Sequence, residues 1–468
     1  MQLIASLVLF VFSAVHVAAA DQVYYCNSTV SCPEEFPCCS QYGQCGTGEF
    51  CISNCNPIFS FEPEACMPEP VCKDISTTFN NYTDKVVNIN TYLGNASEAD
   101  WLYTGNILDY DDEGSMILAM PKNSGGTVLT SSKDVWYGKI SARLKSSHLG
   151  GVVTAFIVFS GIQDEIDFEW VGADINTVQT NYYWQGLLDW HNSANITVND
   201  TFNDYHTYEI DWHEDYTTWS VDGVIGRTLF KNATWNETLQ AYKYPQTPSR
   251  IHLSIWPGGN ATNAEGTIAW AGGEINWDAP DIQDPGYYYA IVNQINVTCY
   301  DTPSGTTKNG SDSYTYKKDS KYLQDDVVLS SKRYWLSTDE GTGLNVTAGE
   351  VVSSSSSSSS SSKTSSSSSS ATSSAHNSTI ANNSSSASTS TAYQNSSSSA
   401  SSSVRHTSAS ISSITSRQAD ASASTSASSN SSTSRTSSRT SRMSSANFGS
   451  SLRFDNLFVF LSALGLLL

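Results

Sequence analysis

The chain has 468 residues, a formal net charge of −21, and 39% hydrophobic and 15% charged residues. Both fractions fall below the usual ~45–50% apolar and ~25% charged, because most of residues 352–451 is Ser. The acidic balance argues against a nucleic-acid binder, which needs a basic patch to neutralise phosphates, and the scattered Lys and Arg argue against polybasic membrane attachment.

Residues 3–15 are almost continuously apolar and lead to Ala18-Ala19-Ala20. This is the layout of a secretory signal over residues 1–20, cut after a small-residue site. Nine of the 10 Cys then fall between Cys26 and Cys72, and the tenth is Cys299. Residues 21–55 are too few to bury a real core, so such crowding reads as a disulfide scaffold. Zinc is the rival reading, but the segment lacks His and paired Cys-x-x-Cys units. A secreted chain keeps its disulfides. Sequons such as Asn95, Asn195 and Asn260 fit that route and mark surface loops. Residues 56–74 form a Pro-containing connector with Cys66 and Cys72.

Residues 75–301 alternate like an all-β domain. Strands are expected over 152–159, 165–170, 207–212, 218–221, 251–256 and 267–270, with Asp222-Gly223 as a hairpin turn. Many short strands without long amphipathic helical patterns point to a sandwich. The sharpest segment is Glu165-Ile166-Asp167-Phe168-Glu169-Trp170. Side chains alternate faces along a strand, so Glu165, Asp167 and Glu169 share one face. Like charges at neighbouring positions cost stability, which points to a site that needs coupled carboxylates. Retaining glycoside hydrolysis needs two, about 5–5.5 Å apart, one as nucleophile and one as acid/base. Four residues of flat strand separate Cα atoms by roughly 13 Å. The strand must therefore lie on a concave face, with both Glu side chains leaning inward. Asp167 between them tunes their protonation. A Ca²⁺ site or a solvated acidic face are the competing readings. Tyr182, Tyr183, Trp184, Trp190, Trp219 and Trp256 offer rings for a sugar cleft, although each is also a candidate for the core.

Residues 302–350 are polar and show no clear pattern. Residues 351–446 form a Ser/Thr tract that buries too little apolar surface to fold and reads as a disordered, mannosylated stalk. Residues 447–468 end in an apolar run too short to span a bilayer, preceded by a polar spacer and small residues. This is the layout of a glycosylphosphatidylinositol (GPI) signal, with attachment expected at Asn447, or else at Ser445.

The block Asp164–Gly172, with Thr177–Tyr183, Tyr244-Pro245-Gln246-Thr247-Pro248-Ser249-Arg250 and Gly266-Thr267-Ile268-Ala269-Trp270-Ala271-Gly272-Gly273, resembles the fungal Crh-type transglycosylases of glycoside hydrolase family 16. The resemblance covers about residues 55–301. It implies a concave β-jelly roll, with Glu165 as nucleophile, Glu169 as acid/base and Asp167 as helper. It also implies that Arg250, Trp256, Thr267 and Tyr182 line the cleft. The segment Cys38-Cys39-Ser40-Gln41-Tyr42-Gly43-Gln44-Cys45 is similar to hevein-type chitin-binding modules. That similarity implies the pairs Cys26–Cys39, Cys32–Cys45 and Cys38–Cys51, and sugar contacts from Ser40, Tyr42 and Phe50. Gln44 stands where such modules usually have a ring. Cys55, Cys66, Cys72 and Cys299 allow three pairings, of which Cys55–Cys66 with Cys72–Cys299 is favoured.

The expectation is a GPI-anchored, monomeric wall enzyme that cleaves chitin and transfers it to β-glucan. It would need no cofactor or metal, would touch the membrane only through its lipid, and would bind no nucleic acid. A plain chitinase or endo-β-glucanase uses the same two carboxylates. A non-catalytic chitin-binding wall protein has no need of them, yet both are intact.

Overall fold

The computed structural model describes residues 23–81, 85–110 and 114–351. The signal, the stalk and Asn447 lie outside the described residues. Among these, two eight-stranded sheets dominate. One runs in the order Ala194–Thr197, Thr177–Tyr183, Glu165–Val171, Val153–Ser160, Ser249–Trp256, Thr127–Ser131, Trp101–Thr104 and Val86–Asn88. The other centres on Gly138–Lys145 and the long Tyr287–Cys299 strand, with Ile75–Thr78 paired onto the latter. Together they make an all-β jelly roll.

The inner faces of the two sheets form the core. Trp101, Phe156, Phe168, Trp170, Trp212 and Trp219 are buried there with many aliphatic residues. An indole N–H buried without a partner is costly, and three of the buried Trp find backbone carbonyls. Trp136 Nε1 donates to the Gln246 carbonyl at 2.9 Å, and Trp212 Nε1 to that of Pro245 at 3.1 Å. Trp219 Nε1 donates to the Asp167 carbonyl at 2.9 Å, pinning the carboxylate strand from below. The Asp222-Gly223 turn has φ of 50° and 78°, the left-handed pair that a tight hairpin requires.

Residues 267–270, expected as a strand, belong instead to the helix Glu265–Trp270. Both edges of Ser249–Trp256 are already taken by Val153–Ser160 and Thr127–Ser131, which leaves no place beside it. The 302–350 extension folds. Ser313–Tyr316 pairs with Glu69–Pro70 and Val327–Ser330, and Tyr314, Val327 and Leu329 enter the main core.

The Cys-rich segment has a small cluster of its own, Cys26, Cys32, Cys39 and Cys45 with Tyr24 and Phe59, and a second part that joins the rest of the fold. Its Cys38, Cys51 and Ile52 pack with Met67 of the connector, Tyr92 and Leu102 of the main domain, and Leu336 of the extension. Gly48 N donates to the Gly341 carbonyl at 2.8 Å. A Cβ at Gly161 would stand 2.6 Å from the Cys55 carbonyl, so glycine permits this close approach. The disulfides are Cys26–Cys39, Cys32–Cys45, Cys38–Cys51, Cys55–Cys66 and Cys72–Cys299.

The last of these spans 227 residues. Long loops gain most from cross-linking in the chain-entropy account. Replacing both Cys72 and Cys299 with Ser is expected to cost about 4–5 kcal/mol. Urea unfolding of the two proteins under oxidising conditions checks this.

Candidate active site

The carboxylate strand sits near the middle of its sheet, and the ladder fixes its neighbours. Glu165, Asp167 and Glu169 lie opposite Phe159, Ile157 and Ala155 on one side, and Tyr183, Asn181 and Gln179 on the other. Paired residues share a face. The carboxylates are thus bounded by an apolar row and a polar row. The next row beyond the apolar one is Arg250, His252, Ser254 and Trp256. Ile166, Phe168 and Trp170 turn into the core.

Asp167 is buried, whereas Glu165 and Glu169 are half-buried and open to the concave side. Burial pushes all three upward, because the charged forms lose water. Glu165 is held well above the usual range by burial and then by the charges of Asp167 and Glu169. Glu169 is raised by burial and by Asp167. Asp167 is pushed up to about 7 by burial, against the pull of the Arg227 charge and an Asn181 backbone hydrogen bond. Its Oδ1 has no partner. Upward shifts on neighbouring carboxylates favour shared protons, the condition under which one carboxylate serves as an acid while another is ionised.

The arrangement is supported from outside. Arg227 reaches beneath the strand from Val224–Phe230. It donates from Nη1 to the Thr180 carbonyl at 2.7 Å and from Nη2 to that of Asn192 at 2.6 Å. Its guanidinium lies 4.5 Å from the Trp219 ring. Asp164 is buried at the start of the strand. It accepts from Gln185 N at 3.0 Å, Gln246 N at 2.9 Å and Thr247 Oγ1 at 2.8 Å. Those bonds moor the carboxylate strand to two loops.

Of the expected cleft residues, Tyr182 lies on the opposite face, and Arg250 and Thr267 are buried. Tyr182 pairs with Ile166, so it faces away from the carboxylates. Tyr183 takes the place beside Glu165. Arg250 is only 1% exposed. Its Nε lies 3.5 Å from Asp134 Oδ2, and its Nη1 donates to the Ser131 carbonyl at 3.0 Å. With the Glu69 carboxyl of the connector close by, it is held among buried acidic groups on the carboxylate face. Thr267 is nearly buried on its helix, and Trp270 of the same helix touches the carboxylate face. Trp270 Nε1 donates to Gln179 Oε1 at 2.9 Å. Its ring stacks on Trp256 with centroids 6.0 Å apart. Trp256 is thus on the carboxylate face as expected, with a second ring over it. Trp219 belongs to the core, and Trp190 is an exposed loop residue.

Sequence reasoning missed Arg227, and Gln179 and Asn181 of the polar row, and held Trp270 only as part of the matching block 266–273. The alternation of Gln179, Asn181 and Tyr183 was the available signal for that row. Ser40, Tyr42 and Phe50 of the Cys-rich segment are half-buried beside the same sheet.

The buried carboxylates link pH to stability. From the ordinary Asp value of about 4 up to about 7, folded Asp167 keeps a proton that the unfolded chain has lost. Asp134 and Asp164, both raised to about 6, act in the same direction. Stability is therefore expected to be greatest near pH 4 and to fall as pH rises toward about 7. Urea midpoints across that range check it, and Asp167→Asn should flatten the slope.

Comparisons with known proteins found related chains. The family model for glycosyl hydrolases family 16 matches residues 95–272. Congo red hypersensitive protein 2 of Saccharomyces cerevisiae is 61% identical over 338 residues, which is 72% of either chain. Crh-like protein 2 of Aspergillus fumigatus is 48% identical over 349 residues, 74% of this chain and 78% of that one. Among solved structures, a Crh5 transglycosylase in complex with NAG aligns with a TM-score of 0.48 at 26% identity. That alignment covers 59% of this chain and 100% of the other.

Proposed function

We infer the reaction from a premise: the chain belongs to glycosyl hydrolases family 16, among the Crh-like proteins, and is a glycosidase or transglycosylase. We propose that it cleaves chitin with retention and passes the new reducing end to β-1,3- or β-1,6-glucan. The observation that supports this best is the row Glu165, Asp167 and Glu169 on one face of a central strand, partly shielded from water.

In this reading Glu165 attacks the anomeric carbon while Glu169 protonates the leaving oxygen. The bond to the leaving sugar breaks as the Glu165 ester forms. Glu169, now ionised, removes the proton from an incoming hydroxyl, and that oxygen displaces Glu165. A glucan hydroxyl gives transfer and water gives hydrolysis. Holding the acceptor against the Trp256–Trp270 pair favours transfer, because it turns a bimolecular step into a local one. Asp167 acts through its two neighbours as a charge-tuning residue.

The proposal extends to location. The apolar leader sends the chain through the secretory route, in keeping with its disulfides. The lipid at Asn447 would hold the enzyme at the outer membrane face, and residues 351–446 would carry residues 21–350 out into the wall.

Incubating the full-length protein with soluble chitin oligomers and a fluorescent β-1,3-glucan acceptor tests the reaction. Labelled products should grow in size, and a Glu169→Gln control should leave the label unchanged. Shortened chitin without labelled hybrids would instead show a hydrolase.

A further inference from the structure

The concave sheet does not end in open solvent beyond His252. Asp167, Ile157, His252 and Thr130 form one lateral row across four adjacent strands. Strands lie about 4.8 Å apart, so His252 is about 10 Å from Asp167 across the sheet. There the row meets the Cys-rich segment. A cavity is walled by Tyr42 and Phe50 on one side and by Tyr103, Thr130 and His252 on the other.

The wall from the Cys-rich segment is fixed in place. Phe50 lies flat on Gly46, where a Cβ would come within 2.5 Å of the ring. Tyr42 follows Gln41 directly in the chain and is half-buried. Asn54 Nδ2 donates both to Gln41 Oε1, at 3.0 Å, and to His252 Nε2, at 2.8 Å. Hydrogen bonds through Asn54 thus join Gln41, the neighbour of Tyr42, to the catalytic sheet.

That chain also sets the His252 tautomer. An amide nitrogen only donates, so His252 Nε2 accepts. Burial and the Arg250 charge push the imidazole down to about 3, so it is neutral. Nδ1 must then hold the proton. His252 is 2% exposed, and its Nδ1 has no partner. Ser53 Oγ, on the same cavity, is also buried without one. A lone buried donor costs stability unless a ligand engages it. Aromatic walls with a few convergent polar groups are the chemistry of a sugar subsite. The apolar side chain of Val128 on the same wall suits a methyl group.

We propose that Tyr42 and Phe50 join Tyr103, Thr130 and His252 in one composite subsite that holds an N-acetylhexosamine unit of the chitin chain at the far end of the catalytic cleft. The Cys-rich segment is then a fixed wall of the active-site cleft and not a free tether. The His252 Nδ1–H donates to the acetamide carbonyl, and the rings take the faces of the sugar. This inference rests on chitin as the sugar donor.

The test measures kcat/KM of the full-length protein for soluble chitin oligomers of increasing length, with β-glucan as acceptor. Two variants approach the cavity from opposite sides: Tyr42→Ala removes a wall, and Thr104→Trp fills the space from the sheet. Each is expected to lower the ratio of long-donor to short-donor kcat/KM by about tenfold, with the break at the same oligomer length. An oligomer with its far unit deacetylated should behave in the wild type like a shorter donor. If Tyr42→Ala lowers the thermal midpoint and all activity together, Thr104→Trp alone decides. Equal effects on all lengths would overturn the composite subsite. So would a loss confined to binding of insoluble chitin. A wild-type protein that cleaves no chitin oligomer of any length would instead overturn the functional reading beneath it.

Discussion

Replacing Glu169 with Gln is expected to lower kcat/KM on chitin oligomers by at least about a thousandfold, and Glu165→Gln by at least as much. Gln keeps the size and position of each side chain, so the sheet should hold. The roles differ, and so should the rescue. A chitin oligomer with a nitrophenyl leaving group needs no proton from the enzyme. It should restore a single rapid release of nitrophenol in Glu169→Gln, because Glu165 still attacks. In Glu165→Gln it should restore nothing. Stopped-flow absorbance reads both outcomes. Rescue of Glu165→Gln in place of Glu169→Gln would exchange the two assignments.

The second large effect concerns Asp167. Its charge helps to raise both Glu165 and Glu169. Removing that charge in Asp167→Asn lets Glu169 lose its proton at lower pH. The alkaline limb of the kcat/KM profile should therefore move toward lower pH, and activity at neutral pH should fall about a hundredfold. The folded protein should at the same time be more stable at neutral pH, since a buried carboxylate with an unpartnered oxygen is gone. A pH profile measured beside a urea titration separates the two effects. Lost activity with an unmoved alkaline limb would mean that Asp167 does not tune Glu169.

The parts of this site that were legible in sequence are those governed by period. The two-residue alternation of Glu165 to Trp170 places three carboxylates together whatever else the chain does. The same rule read one strand further would have chosen Tyr183 over Tyr182, because Gln179 and Asn181 carry the polar face. Four residues at 267–270 were too few for alternation to separate strand from helix, and the occupied edges of the sheet decided the matter.

Other parts had no local signal. Arg250 is buried because Asp134 and Glu69, remote in the chain, fold over it. The Arg227 charge acts on Asp167 from a strand of the other sheet. The docking of the Cys-rich segment depends on Asn54 meeting His252 and on Gly48 meeting Gly341, contacts that neither composition nor spacing reveals. The 302–350 extension looked featureless because its apolar residues, Tyr314, Val327 and Leu329, are few and widely spaced.

The central claim is that Glu165 forms a covalent bond to the sugar. Intact-mass spectrometry of Glu169→Gln mixed with a nitrophenyl chitin oligomer tests it most directly, because the variant makes the ester but lacks the base that clears it. The account predicts an adduct of one glycosyl unit per chain, mapped by proteolysis to Glu165. Release of nitrophenol with no adduct would contradict it and would point to attack by the substrate's own acetamide.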